Sequence, residues 1–210
     1  MKFFLLKIID FLTIVLSYTF SYGIIKSIRF IKNRVYSFAI KRSFKKCGSN
    51  FYIESPIYLH DSKNIEIGDN FYCFERLRLE TFNKHNGATF TPKIVIENNV
   101  SINYNCHIGC INSIVIEDNV LIASNVFITD HFHGKINNLS DSLPPSERIL
   151  ESKGPVLIKK NVWLGENVVI MPNVTIGENS IVGANTVVTK SFPKNSIIGG
   201  IPARLIRNSE

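Results

Sequence analysis

What is scarce in this 210-residue chain narrows it first. Its four cysteines (Cys47, Cys73, Cys106, Cys110) form neither a CxxC pair nor a zinc-finger spacing, which argues against a structural zinc site or disulfide scaffold and for reduced thiols. Acidic residues are missing from residues 26–46, where eight Lys or Arg stand. Residues 1–46 hold ten basic residues against Asp10 alone; the whole chain carries +7, so the remainder is left at −2. Basicity belongs to the N-terminus, and no nucleic-acid partner is expected for the rest. The uncharged run Phe11–Ile25 has 15 residues, fewer than the roughly 20 that a spanning helix needs. No small-x-small cleavage pattern follows it, which speaks against a removed signal peptide.

What is abundant is a period of six. Aliphatic residues recur at Ile158, Leu164, Ile170, Ile176, Val182 and Val188. Four places after the first five come Val162, Val168, Val174, Ser180 and Thr186, and three places after each of those five aliphatics comes an asparagine: Asn161, Asn167, Asn173, Asn179, Asn185. This period is neither the 3.6 of a helix nor the 2.0 of a strand. It suits a chain that extends, turns a corner and repeats, with asparagine at the corner because it tolerates the left-handed backbone region. Such periodicity marks a parallel β-helix, in which each coil covers the interior of the next.

The grid extends upstream through Ile53 and Leu59, then Ile67, Cys73 and Leu79, then Ile96, Ile102 and Ile108, then Ile116, Ile122 and Ile128. Taken in threes, these are the faces of successive coils of 18 residues. Every departure from the spacing follows a third face, so all insertions are expected on one corner. The longest opens a loop over residues 131–154, polar and bearing Pro144 and Pro145; loops of that length in compact domains are usually functional or disordered. In its coil the corner slot holds His131 where Asn70, Asn99, Asn105, Asn119 and Asn125 stand elsewhere.

The expected organisation is a helical segment over 1–47, a β-helix over 48–190 and a tail over 191–210. In the first segment Ile28, Ile31, Val35 and Phe38 recur at helical spacing, with Gly48 a plausible stop. Three readings stay open for residues 1–46: an interfacial helix pair on an anionic membrane surface, a true span with the basic stretch cytoplasmic, and a face packed on the β-helix or between subunits.

The C-terminal run NVWLGENVVIMPNVTIGENSIVGANTVVTKSFPKNSIIGGIPARLI resembles the end of hexapeptide-repeat acetyltransferases such as the galactoside, maltose and nodulation-factor enzymes. NVLIASNVFITDHFHG is similar to the subgroup that acetylates bacterial surface polysaccharides. The resemblance covers about residues 50–207. It implies an all-β, left-handed β-helix, a homotrimer with sites between subunits, and acetyl-CoA as donor, with no metal required. It aligns His131 with the family's catalytic histidine. It carries over Ala184, Thr189, Lys190, Arg204 and Arg207 to the CoA side, where the cations suit phosphates. Trp163 precedes an inward position, so it faces out, where a pantetheine arm or a neighbouring subunit would lie. Two departures stand out: Glu166 replaces a family serine, and Phe74 replaces the galactoside enzymes' asparagine, so galactoside is not the expected substrate.

Direct transfer to a sugar hydroxyl needs a base, and a neutral histidine suits this near pH 7. His131 is the first candidate. His133 and His107 are possible supports, and so is Asp130, although neighbours in an extended chain rarely face each other. Glu75, Arg76 and Glu80 are acceptor-side candidates, while His60 and His85 are given no role. Neither a Ser nor a Cys stands in a recognisable nucleophile motif, so no acyl-enzyme is expected. The alternatives are an amino-sugar or xenobiotic N-acetyltransferase, a carbonic anhydrase on the same fold, whose histidine spacing is absent, and a non-catalytic scaffold. The expected location is cytoplasmic, peripheral on the inner face of the membrane.

Overall fold

The structure is a computed structural model that describes residues 2–19, 21–134 and 143–208. Among these residues three sheets of six, eight and six strands wrap a triangular prism, every ladder parallel but one. The first sheet stacks Lys46–Cys47, Ile65–Ile67, Lys93–Ile96, Ser113–Ile116, Val156–Ile158 and Thr175–Ile176. The second runs from Tyr52–Ile53 through Trp163–Leu164 to Ser196–Gly199, and the third from Tyr58–His60 through His107–Cys110 to Val187–Val188. Register follows the six-residue grid: Ile67, Ile96, Ile116, Ile158 and Ile176 pair down the first sheet, and Leu79, Ile108, Ile128, Ile170 and Val188 down the third. Their side chains are fully buried, each removing apolar area from water worth about 1.5–3 kcal/mol. Cys73, Cys106 and Cys110 are free thiols in this core; burial pushes the Cys106 thiol up to about 11.

The corners explain the asparagines. All ten expected at corner slots adopt φ between 57° and 64°, and Asn195 at 59° and Asn50 at 48° share the left-handed region. On the corner between the first and second sheets their amides form a continuous ladder, Asn50 to Asn70, Asn99, Asn119, Asn161, Asn179 and Asn195, at 2.8–3.2 Å. His131 does not share the left-handed backbone of the slot it fills, because the chain leaves the prism there.

All the insertions do fall between the third sheet and the first. One is a hairpin, Lys84–His85 against Ala88–Thr89, turned by Asn86 and Gly87, both at positive φ as a type I′ turn requires. The loop expected over 131–154 is not wholly irregular: Phe132–His133 pairs antiparallel with Leu150–Glu151, and its centre, 135–142, lies outside the described residues. Asn86 donates to the carbonyls of Ser146 and Arg148, tying the two insertions together.

An all-β fold was expected apart from a helical segment, and that segment forms two helices, α1 (Lys2–Thr19) and α2 (Tyr22–Lys41). Helix α2 covers the open end of the first coil through polar side chains. Ser37 Oγ accepts the Ile53 N–H at 2.9 Å, Asn33 Oδ1 the Ser55 N–H at 3.2 Å and Tyr36 the Ile57 N–H at 3.3 Å. A sheet edge buried by a helix needs such partners. The stripe Ile28, Ile31, Val35 and Phe38, for which packing on the β-helix was one of three readings, points away from it, and all four are exposed. The β-helix also outruns its expected 48–190 limits: Lys46–Cys47 precedes them, and Ser196–Gly199 extends the second sheet beyond. The last strand, Arg204–Asn208, folds back antiparallel onto Ser196–Gly199 and covers part of the other end.

Candidate active site

The third-sheet strand Phe127–Thr129 ends at Thr129, and the turn that follows breaks strand alternation. Asp130 and His131 therefore point toward one another rather than to opposite faces, contrary to the expectation for sequence neighbours. His131 Nδ1 lies 3.0 Å from Asp130 Oδ1. Asp130 is wholly buried, and its four lone-pair sites are filled: Oδ1 accepts the Ile111 N–H at 2.9 Å as well as His131, and Oδ2 accepts the Asn112 N–H at 2.8 Å and the Cys110 thiol at 3.1 Å. Burial alone would raise this carboxyl's pKa, but the bonds from His131, Ile111, Cys110 and Asn112 outweigh it and hold the pKa below the usual carboxylate value. An ionised Asp130 can only accept, so the His131 proton resides on Nδ1 and the Nε2 lone pair is left free as a base.

His131 faces a cavity of about 340 Å³ that it shares with Phe82, His107, Gly109, Glu80 and His133. His107, one coil below, bonds Glu80 through Nε2 at 3.1 Å, and Arg78 holds the other Glu80 oxygen at 2.8 Å. Desolvation, then the Arg78 charge, lowers the His107 pKa despite Glu80's opposing pull, so this imidazole is a neutral donor to a charged carboxylate. Gly109 lies between the two histidines. A Cβ there would come 3.4 Å from His131 Cε1 and 3.5 Å from His107 Nε2, so glycine keeps the cavity floor open.

Of the residues singled out in the sequence, His131, Asp130, His107, His133 and Glu80 meet at this corner. Glu75 and Arg76 do not line the cavity: Glu75 is bound by Arg29 of α2 at 2.6 Å, and Arg76 is a corner residue at φ 65°. Trp163, Ala184, Thr189, Lys190, Arg204 and Arg207 are all exposed, on later coils and the final strand, and none lines the cavity within this chain. His85 was missed. Carried in by the hairpin, its ring lies 5.8 Å from that of His133, and its Nδ1 is buried with no hydrogen-bond partner among the described residues. Desolvation, then the neighbouring His133 and His131, lowers its pKa. Only the Asn-Gly turn at 86–87 signals this hairpin in the sequence, and a turn does not say what the hairpin touches. Among the described residues no group of three or more His, Cys, Asp or Glu is arranged to hold a metal ion.

A three-sheeted parallel solenoid with a histidine–aspartate pair at its one insertion-bearing corner defines a class, the repeat-built acyltransferases. Residues 155–190 match the family model for bacterial transferase hexapeptide (six repeats). The putative lipopolysaccharide biosynthesis O-acetyl transferase WbbJ of Escherichia coli K12 is 37% identical over 159 residues, 74% of this chain and 77% of that protein. Galactoside O-acetyltransferase of the same organism is 34% identical over 173 residues, covering 80% of this chain and 66% of that protein. A galactoside acetyltransferase structure in complex with coenzyme A is 33% identical, with a TM-score of 0.54 over 81% of this chain and 68% of that one. The fold is shared with AntD, an N-acyltransferase from Bacillus cereus, at TM-score 0.67 and 24% identity over 82% of this chain and 88% of that one. This chain belongs to the hexapeptide-repeat acetyltransferase family, and it is an enzyme.

Proposed function

We propose that the protein transfers the acetyl group of acetyl-CoA directly to a sugar hydroxyl of a bacterial surface glycan, an O-antigen, capsule or lipid-linked precursor, with His131 as general base. The observation that carries this is the buried Asp130–His131 pair, which frees one imidazole nitrogen at the wall of a cavity. His131 Nε2 takes the acceptor hydroxyl proton as the oxygen attacks the thioester carbon. The C–O bond forms, the tetrahedral centre collapses, the C–S bond breaks, and the departing CoA sulfur takes the proton back from the imidazolium. A positioned base of this kind contributes roughly 10²–10⁴ in rate. Backbone N–H groups at a coil edge stabilise the oxyanion. Asp130 holds the tautomer and balances the imidazolium charge. His107, bonded to the charged Glu80, supplies a hydrogen-bonding wall for the acceptor, and His133 borders it from the loop.

The working unit in this reading is a homotrimer of left-handed coils in the cytoplasm, in which a neighbouring copy presents Trp163, Ala184, Thr189, Lys190, Arg204 and Arg207 to the donor. This accounts for the absence of all six from the cavity of a single chain. The resemblance to WbbJ and galactoside O-acetyltransferase, both named for O-acetylation, favours oxygen over nitrogen as acceptor. The test is a screen of nucleotide-sugars, lipid-linked oligosaccharides and amino-sugars with acetyl-CoA, reading released thiol. Turnover on a hydroxyl acceptor supports the reading, and turnover confined to amino-sugars contradicts it.

A further inference from the structure

No single helix among the described residues is long and apolar enough to cross a membrane; only the bent pair Lys2–Tyr18 with Tyr22–Lys41, at 75°, passes by length and composition together. The orientation of α2 on the β-helix says more. At about 100° per residue, Ile24, Ile28, Ile31, Val35 and Phe38 fall within an arc of about 80°. That arc lies opposite Asn33 and Ser37, the buried residues that close the first coil. The polar face is thus fixed to the protein and the apolar face is left outside, with Ile31 62% and Val35 66% exposed. Lys32 flanks the stripe on one side and Arg34 on the other, and Lys41, Arg42, Lys45 and Lys46 cluster about the C-terminal end of α2 beside Phe38. The described side chains of α1, eleven of them large aliphatics or phenylalanines, are exposed too.

The charge selects the occupant. A second copy of this segment would bring +9 against +9, whereas an anionic lipid surface answers both the apolar stripe and its basic flanks. We propose that α1 and α2 form a membrane-docking module that seats the first coil of the β-helix on an anionic bilayer. The apolar stripe of α2 lies among the acyl chains, and Lys32, Arg34 and the Lys41–Lys46 cluster lie at the phosphates. The proposal deepens the reading above, since a docked enzyme would meet a lipid-linked acceptor at the surface. It does not need catalysis to be tested.

The experiment is flotation of the full-length protein with phosphatidylcholine vesicles, with and without about a quarter phosphatidylglycerol. The intact chain is expected to float with the anionic vesicles at least about tenfold better than with the neutral ones, and to lose that preference as salt rises. Ile31→Asp with Val35→Asp, both on the face away from the β-helix, should abolish flotation, and Lys32→Glu with Arg34→Glu should cut it on the order of tenfold. Unchanged helix content by circular dichroism and unchanged affinity for coenzyme A show that each variant is folded. The proposal is overturned if the intact chain stays at the bottom of the gradient, if neutral and anionic vesicles bind equally, or if Ile31→Asp with Val35→Asp changes the oligomeric state and leaves flotation intact. Thiol release with a soluble acceptor is measured on the same preparations. Failure to float leaves the acetyltransferase reading standing, and failure to turn over leaves the docking reading standing.

Discussion

Two corners of the same prism are built on opposite plans. Between the first and second sheets, seven asparagines in the left-handed region stack amide on amide from Asn50 to Asn195. Between the third sheet and the first, the chain inserts a hairpin and a loop, and an aspartate replaces the amide ladder as the bridge between coils. Asp61 accepts from Asn83, and Asp130 accepts from Ile111 and Asn112. A regular corner gains stability by repeating one small bond, each worth about 0.5–1.5 kcal/mol net. An irregular corner concentrates its bonds on one buried charge, and that concentration is what orients His131.

The contrast can be broken most severely at Asp130. Asp130→Asn keeps the shape but presents an amide NH₂ to groups that are themselves donors. It should cost about 3 kcal/mol or more in denaturant unfolding, as breaking a buried charged network does. On the ladder the effect should be smaller and should depend on backbone: Asn161→Ala, forced to hold positive φ, should cost about 1–2 kcal/mol. Asn161→Gly should recover most of it, because glycine accepts that conformation. If Asn161→Ala proves as damaging as Asp130→Asn, the two corners are not different in kind.

Acid should sharpen the same distinction by a smaller amount. The His107 pKa is lowered, so its contribution to stability is full above its unfolded value of 6.5 and lost as pH falls from there through the depressed folded value. The Asp130 pKa is also lowered, so its contribution is full above 3.8 and lost as pH falls below that. A pH titration of unfolding should therefore show stability falling on acidification through both windows, with the fall in the lower window reduced in Asp130→Asn. Loss of stability toward higher pH across either window would contradict these assignments.

The scaffold was legible because its signal repeats. Each coil states the spacing again, and register follows once Ile158 is matched to Ile116. His131 was legible as the place where the repeat fails. What the sequence could not carry were contacts made by departures from the repeat. Asp130 meets His131 only because the strand stops at Thr129, and His85 reaches His133 only because two separate insertions fold onto one another. The partner of the α2 stripe was open for a different reason: a solenoid end exposes backbone N–H groups that call for polar partners, so Asn33, Tyr36 and Ser37 took the inner face and the stripe was left outside. Glu75, read as an acceptor-side candidate, lies outside this cavity with its carboxylate bonded by Arg29 of α2, a contact no repeat spacing carries.

The central claim is that the irregular corner does the chemistry through His131. The measurement is steady-state thiol release from acetyl-CoA by His131→Ala, set beside its affinity for coenzyme A and its oligomeric state. Turnover is predicted to fall at least about a hundredfold while affinity and assembly hold. Unchanged turnover in a variant that still binds coenzyme A would contradict it.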